Sequence, residues 1–333
     1  MSIVKKIAEE NGVPEHLINR IVNSSNHAYK TYEIAKKNGD TRTICHPSKK
    51  VKALQYWLNQ NVFCHLPVHS SVYSYRSGLS ILDVAKEHVG KKYFLKLDFK
   101  AFFPSITADD LRRHLHKHNN LVELDRDDIE VALKIVSYQE ALTIGSPSSP
   151  ILSNSILYDF DDKLTLFCID KGVTYTRYAD DLTFSTNDSN VLTEINSFTR
   201  ELLQGFDGVN LKINEDKTQF LSKKGRVRIL GLILTSDGKI SVGREKKREI
   251  RSLVNRFKYD AIEPDHDFNG NVLSTVEEKK RSLQGYISFI ESIEPDFISS
   301  LKNKYDENVI EAIKKFSYEE AIQSRTVIDR TPS

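Results

Sequence analysis

An α+β fold, a small sheet flanked by helices, is what this 333-residue sequence predicts. Three observations predict it. The run Tyr93-Phe94-Leu95-Lys96-Leu97 is aromatic and aliphatic in the manner of a strand and delivers Asp98 at its end. Residues 174–184 hold two more such runs, broken in the middle by Ala179-Asp180-Asp181. Residues 151–169 and 191–203 carry their apolar side chains over helical lengths.

The broken pair of runs reads YTRYADDLTFS, with Thr174, Tyr175 and Tyr178 on one side and Leu182, Thr183 and Phe184 on the other. Ala179-Asp180-Asp181 is expected to turn tightly, because Asp tolerates unusual backbone angles and bonds its own chain. An isolated Asp-Asp pair is better read as a solvated turn. Asp98 alone equally fits a strand-end acid capping a loop, followed by Phe102-Phe103 and a strand-ending Pro104. Jointly the three acids argue for a nucleotidyl-transfer site. Strand-end and hairpin carboxylates can hold two divalent cations that stabilise attacking and leaving oxygens. Magnesium suits such a site, since it prefers oxygen ligands and needs few carboxylates beyond substrate phosphates.

These stretches resemble the reverse transcriptases, most closely the bacterial retron type. LDFKAFFPSI (97–106) is similar to the family's motif A, GSPSSPILSN (145–154) to motif B and YADD (178–181) to motif C. INEDKT (213–218) is similar to motif D, and RILGLIL (228–234) to the strand that grips the primer. All five come in the family's order. The resemblance implies a right-hand polymerase with a ferredoxin-like palm sheet and a helical thumb. Fingers are expected from residues 1–90 and 107–143, palm from 91–106 and 144–241, thumb and C-terminal helices from 242–333.

Composition is compatible with this. At 39% apolar residues the chain can bury a core as a soluble, multi-lobed unit. A formal net charge of +2 means that a nucleic acid would meet a local patch, not a global field. Cys45, Cys64 and Cys168 lack CxxC spacing and cannot all pair, which favours free thiols in a reducing cytoplasm. The start, MSIVKKIAEENG, is charged and is expected to be neither signal peptide nor membrane anchor.

Residues 2–23 read as two short helices separated by Gly12 and Pro14. Residues 29–35 and 41–45 are strand candidates joined by Lys-Lys-Asn-Gly-Asp, a hairpin signal. Lys36, Lys37, Arg42, Lys49, Lys50 and Lys52 around it suit a phosphate-facing flap, and on residues alone suit a solvated basic surface better. The family has its fingers hairpin at TRTICHP, which implies a triphosphate contact for Arg42. Residues 48–63 read as a helix with Leu54, Trp57, Leu58 and Val62 toward the core. Cys64, His65 and His69 match no common metal spacing and read as core or loop residues. Arg76, before a helix starting near 78–80, resembles the family's basic residue near the incoming nucleotide. The stretch 84–88 aligns with a retron signature that begins with Asn, and Val84 stands in that place. His88 by itself reads as a helix-end residue favoured by the dipole.

Phe103, five residues after Asp98, stands where reverse transcriptases set a bulky side chain against the sugar's 2′ position. The resemblance implies a preference for deoxynucleotides, with Phe102 in the core. Residues 107–138 read as two polar helices, with His114 and His118 on a solvated face. Gly145 and its serines permit close backbone approach to a base or sugar, and Ile144 stands where the family usually has Gln. Lys217, on a strand-like segment, resembles the lysine near the leaving pyrophosphate, where it would stabilise charge and donate a proton. On residues alone it is equally a surface lysine.

Residues 212–258 hold fourteen Lys or Arg against five acids, a local excess of nine positive charges. Such a segment suits phosphate backbones. Within it VGREKKREIRSLVNRF reads as a helix with Ile250, Leu253, Val254 and Phe257 inward, resembling a thumb helix that tracks a duplex. Arg244, Lys247, Arg248 and Arg251, with Tyr178, are expected to touch nucleic acid. Ile229-Leu230-Gly231 falls where retrons have Val-Thr-Gly. Residues 275–316 read as packed helices and the tail after Arg325 as frayed.

The expected reaction is RNA-templated DNA synthesis from dNTPs with two Mg²⁺ ions. The retron resemblance further implies a structured noncoding RNA as template and primer, and a branched RNA–DNA product started from a 2′-hydroxyl. It implies anti-phage defence with a separate effector protein, for which this length has no room. Location in the cytoplasm without a membrane is expected. Alternatives are a non-retron defence reverse transcriptase, a catalytically idle RNA-binding scaffold, and a palm-type nucleotide cyclase.

Overall fold

The computed structural model describes residues 1–35, 39, 41–259 and 276–316. The chain divides into two compact units, residues 1–225 and 226–333.

The first unit opens with helices α1 (Ile3–Asn11) and α2 (Glu15–Asn23), parted by Gly12 at φ 61° and by Pro14. β1 (Tyr29–Ala35) and β2 (Thr41–Pro47) pair antiparallel. Their predicted link, Lys36, Lys37, Asn38 and Asp40, lies outside the described residues. α3 (Lys49–Asn61), capped by Ser48, buries Leu54, Trp57 and Leu58 as its periodicity predicts. α4 (Ile81–His88) begins with a Ser80–Asp83 capping box. After β3 (Tyr93–Asp98) come α5 (Ala108–Lys117), α6 (Asn119–Val122), α7 (Arg126–Val136), α8 (Ser149–Ile156) and α9 (Tyr158–Asp170). β4 (Thr174–Tyr178), β5 (Asp181–Thr186), α10 (Val191–Gln204) and β6 (Gln219–Ser222) complete it.

The sheet order is β4-β5-β3-β6, antiparallel throughout. α10 packs on β3 and β5, while α4 and α9 pack on β4. Consecutive β3 residues point to opposite faces, yet Phe94 and Leu95 are both buried, as a sheet covered on both sides requires. That apolar run, interrupted by Lys96 alone before Asp98, is what made β3 legible.

Several expectations change. The run 151–169 is not one helix: α8 starts at Ser149, stops at Leu157, and α9 resumes at Tyr158, with no glycine or proline at the break. Lys217 sits on a single 3₁₀ turn (Glu215–Lys217) ahead of β6. The Asn214 N–H donates to the Asp98 carbonyl at 2.7 Å and ties that turn to the end of β3. His88 is no dipole partner. It is fully buried between the Ser185 and Thr176 hydroxyls (2.6 and 2.8 Å), and burial holds its pKa down at about 3. His114 is likewise a neutral, buried ring sharing a hydrogen bond with Ser155, not part of a solvated face.

In the second unit β7 (Val227–Ile229), β8 (Leu232–Leu234) and β9 (Ile240–Ser241) form an antiparallel sheet. RILGLIL is therefore a hairpin, not one strand. Leu230 and Gly231 both take positive φ (46° and 88°), the requirement of a type I′ turn. α11 (Arg244–Lys258) buries Ile250 and Val254 and half-buries Leu253 and Phe257, on the predicted face. It packs with α12 (Val276–Ile293), α13 (Pro295–Tyr305) and α14 (Glu307–Lys314). Thr275 and the tail predicted to fray lie outside the described residues. Among the described residues no helix is long and apolar enough to cross a membrane.

Candidate active site

β3 and β5 pair in a register that sets Asp98 directly opposite Asp181, and Tyr178 of β4 pairs with Asp181 from the other side. Asp180 closes the turn between β4 and β5. The positive φ of that turn (56°) falls on Ala179 and not on an aspartate, contrary to the sequence-based reason for the turn. The Phe99 N–H donates to the Asp180 carbonyl at 3.0 Å, fastening the turn to the residue after Asp98. Asp98 and the adjacent pair Asp180 and Asp181, some eighty residues apart in sequence, thus share one end of the sheet.

Their electrostatics follow from crowding. Asp98 is buried, and both its oxygens accept from Lys217 Nζ at 2.8 and 3.0 Å. Burial first, and then the charge of Asp98, raise the Asp180 pKa. Burial, followed by Asp180, pushes Asp181 up to about 6. Burial alone would lower the Lys217 pKa, but its bond to Asp98 and the three carboxylate charges outweigh this and raise it.

Mutually repelling carboxylates, one buried and two half-buried, are an all-oxygen donor set of the kind that hard divalent cations take. As they stand, no three His, Cys, Asp or Glu side chains among the described residues are gathered as a finished ligand set. Both Asp98 oxygens accept from the lysine, so an ion held there would compete with the Lys217 ammonium for Asp98.

Phe102 is buried as predicted, and Phe103 is half-buried with its ring 5.3 Å from that of Phe102. Gly145 (φ 107°) leaves room that β2 fills: a Cβ there would stand 3.1 Å from the Cys45 carbonyl oxygen and the Ile44 side chain. The Cys45 N–H donates to the Ile144 carbonyl at 2.9 Å, so Ile144 acts here through its backbone. Arg42 is exposed on β2, and its charge reaches Asp180. Arg76 Nη1 donates to the carbonyls of Val72 (2.8 Å), His69 and Ser70 (3.4 Å each), bracing its own loop. In the second unit Arg244 and Arg248 are exposed, and Arg251 lies 4.9 Å over the Phe297 ring. Lys247 is ion-paired with Glu294.

One cluster escaped sequence reasoning. Arg177 of β4 is fully buried and donates from Nε and Nη2 to Asp161 of α9 at 2.8 and 2.6 Å. The Tyr175 hydroxyl donates to the same carboxylate at 2.8 Å. Arg177 also donates to the carbonyls of Ala179 and Asn154, both at 3.3 Å. The Ser74 hydroxyl accepts from the Ala179 N–H at 2.8 Å, and Asn154 Nδ2 donates to the Ser74 carbonyl at 2.8 Å. The acid turn is thus held from beneath at both its amide and its carbonyl. The available signal was a lone arginine inside a β run, whereas Asp161 is one of four aspartates on α9 and nothing local marks it out.

An antiparallel sheet covered by helices, with three acids at one end, is the arrangement expected of a nucleotidyl-transfer site. The family model for reverse transcriptase (RNA-dependent DNA polymerase) matches residues 34–234. Three Escherichia coli relatives cover most of the chain. The retron Ec83 reverse transcriptase is 35% identical over 87% of this chain and 90% of its own length. The retron Ec73 reverse transcriptase is 34% identical over 84% and 88%, and the retron Ec86 reverse transcriptase 30% identical over 88% and 88%. The chain belongs to the retron-type reverse transcriptases. It is an RNA-directed DNA polymerase of a family that works with divalent metal ions.

Proposed function

We propose that Asp98, Asp180 and Asp181 are the catalytic centre and hold two Mg²⁺ ions. The pairing of Asp98 with Asp181, beside the turn that carries Asp180, supports this most directly. When bound, such ions activate the primer hydroxyl and neutralise the leaving pyrophosphate. Asp98 would hold a cation at the expense of its bond to Lys217, whose ammonium would then be available to the triphosphate. There it stabilises charge and can return a proton to the leaving group. Arg42, exposed on β2 within electrostatic reach of Asp180, binds the triphosphate. Phe103 fills the space that a 2′-hydroxyl needs, and Gly145 holds the loop beside the nucleotide against β2. Tyr178, Arg244, Arg248 and Arg251 track the nucleic acid. Residues 1–90 and 107–143 act as fingers, 91–106 and 144–241 as palm, and 242–333 as thumb.

We further propose a structured noncoding RNA as template and primer, a branched RNA–DNA product, a role in anti-phage defence with a separate effector, and action in the cytoplasm. The likeness to named retron enzymes over most of their length supports this. Sequencing the nucleic acid that copurifies from the native host tests it. DNA joined to an internal RNA 2′-hydroxyl is expected, and its loss on Asp180→Asn with Asp181→Asn. Recovery of unbranched DNA would favour the non-retron defence reading, to which Val84, Ile229 and Leu230 point because they depart from retron signatures. DNA unchanged by the double substitution would refute the catalytic assignment.

A further inference from the structure

We propose that Tyr75 is a nucleobase-stacking residue of this active site, an inference that rests on the placement of the catalytic acids above. The loop before it is fixed to β4. The Arg177 N–H donates to the Ser71 carbonyl and the Tyr73 N–H to the Arg177 carbonyl, both at 2.9 Å, with Val72 bridged in parallel to Arg177. Ser74, fully buried, is held on its hydroxyl by Ala179 and on its carbonyl by Asn154. The next residue leaves that frame abruptly. Tyr75 takes φ +58°, and its side chain is 53% exposed.

A left-handed backbone burdens a bulky side chain with strain that glycine avoids. Strain of this kind persists where its surroundings over-determine it, and it clusters at ligand sites. The ring that the strained backbone projects is not in the core. Its centroid lies 6.5 Å from that of Tyr178, tilted by 36°, and Tyr178 immediately precedes the acid turn. Burial, then the charge of Asp180 and the Tyr178 phenol, raise the Tyr75 pKa, while Arg42 acts the other way. The ring therefore faces the zone where the acid turn and the triphosphate-binding strand act together. An exposed aromatic face on a rigid base there fits the π-face of a nucleobase, which stacking accepts without regard to sequence. That base belongs either to the incoming deoxynucleotide or to the primer's terminal residue.

The test uses the full chain with Tyr75→Phe and Tyr75→Gly, on a poly(rA)·oligo(dT) primer–template with dTTP. Tyr75→Gly relieves the positive φ, so its melting temperature is expected to equal or exceed that of the parent. Binding nonetheless weakens, by roughly tenfold or more for a lost base stack. A rise in KM for dTTP assigns the incoming base, and a rise in primer–template Kd, measured by anisotropy without turnover, assigns the primer base. Tyr75→Phe retains both within about twofold, because the ring and not the hydroxyl does the stacking. Tyr75→Gly with both constants unchanged overturns the proposal. Asp180→Asn run alongside separates the two assignments: turnover surviving that substitution refutes the acid centre, while the equilibrium Kd still reports on Tyr75.

Discussion

Asp161→Asn is the perturbation outside the candidate active site to which this fold should be most sensitive. The carboxylate and the Arg177 guanidinium are both fully buried, joined by hydrogen bonds of 2.6 to 3.1 Å, and Tyr175 donates to the same group. Burial by itself would lower the Arg177 pKa, and the Asp161 charge more than compensates. The amide keeps the shape but removes the charge, leaving a buried cation unpaired at a cost of about 3–5 kcal/mol. Against a total of about 5–15 kcal/mol, that is a large share. The guanidinium chloride midpoint should fall on the order of 1 M. Asp161→Leu with Arg177→Met removes both charges and should recover most of the stability. It should not recover rate, because the Ala179 carbonyl still lacks its guanidinium donor and small misplacements at a reacting centre cost up to about 100-fold. A single-mutant loss under ~1 kcal/mol, or a double mutant extending primers at the parent rate, would refute this reasoning.

Asp181 makes stability pH-dependent. Its pKa near 6 in the folded chain exceeds the ordinary 3.8, so between these values the folded state holds the extra proton. Stability therefore falls as pH rises through that window, by at most ~3 kcal/mol. His88 and His114, depressed to about 3, run the opposite way, so the difference between parent and Asp181→Asn denaturation curves at pH 4 and 7 isolates the aspartate. Lys217→Ala should bind Mn²⁺ more tightly by paramagnetic resonance, since no ammonium competes for Asp98, while primer extension slows by about 100-fold or more. Unchanged affinity would argue against the exchange. Phe103→Ala should admit ribonucleotides, lowering discrimination in kcat/KM by roughly tenfold or more, and an unchanged ratio would remove Phe103 from sugar selection.

The sheet was readable because its strands are short apolar runs bounded by turn formers. The helices around it were readable through their spacing, down to Ile250 and Val254 facing inward on α11. Local chemistry also named the three acids, since strand-end and hairpin-tip aspartates have recognisable neighbours. Local chemistry could not tell which side chains meet. A strand placed Lys217 in prospect, whereas a 3₁₀ turn bonded to the Asp98 carbonyl puts its ammonium on the acid itself. His88 and His114 look like solvated helix-end residues until packing strips their water and leaves them neutral.

The sequence by itself determined the α+β class, the strands β3 to β5 and the identity of the acids, because each depends on residue type and spacing within one segment. Only the tertiary structure decided that Asp98 faces Asp181, that Arg177 and Asp161 brace the turn, and that Tyr75 is held strained beside it. Those facts come from pairings across distant segments, and the energy of a buried charge or a forced backbone angle depends on the partner that arrives.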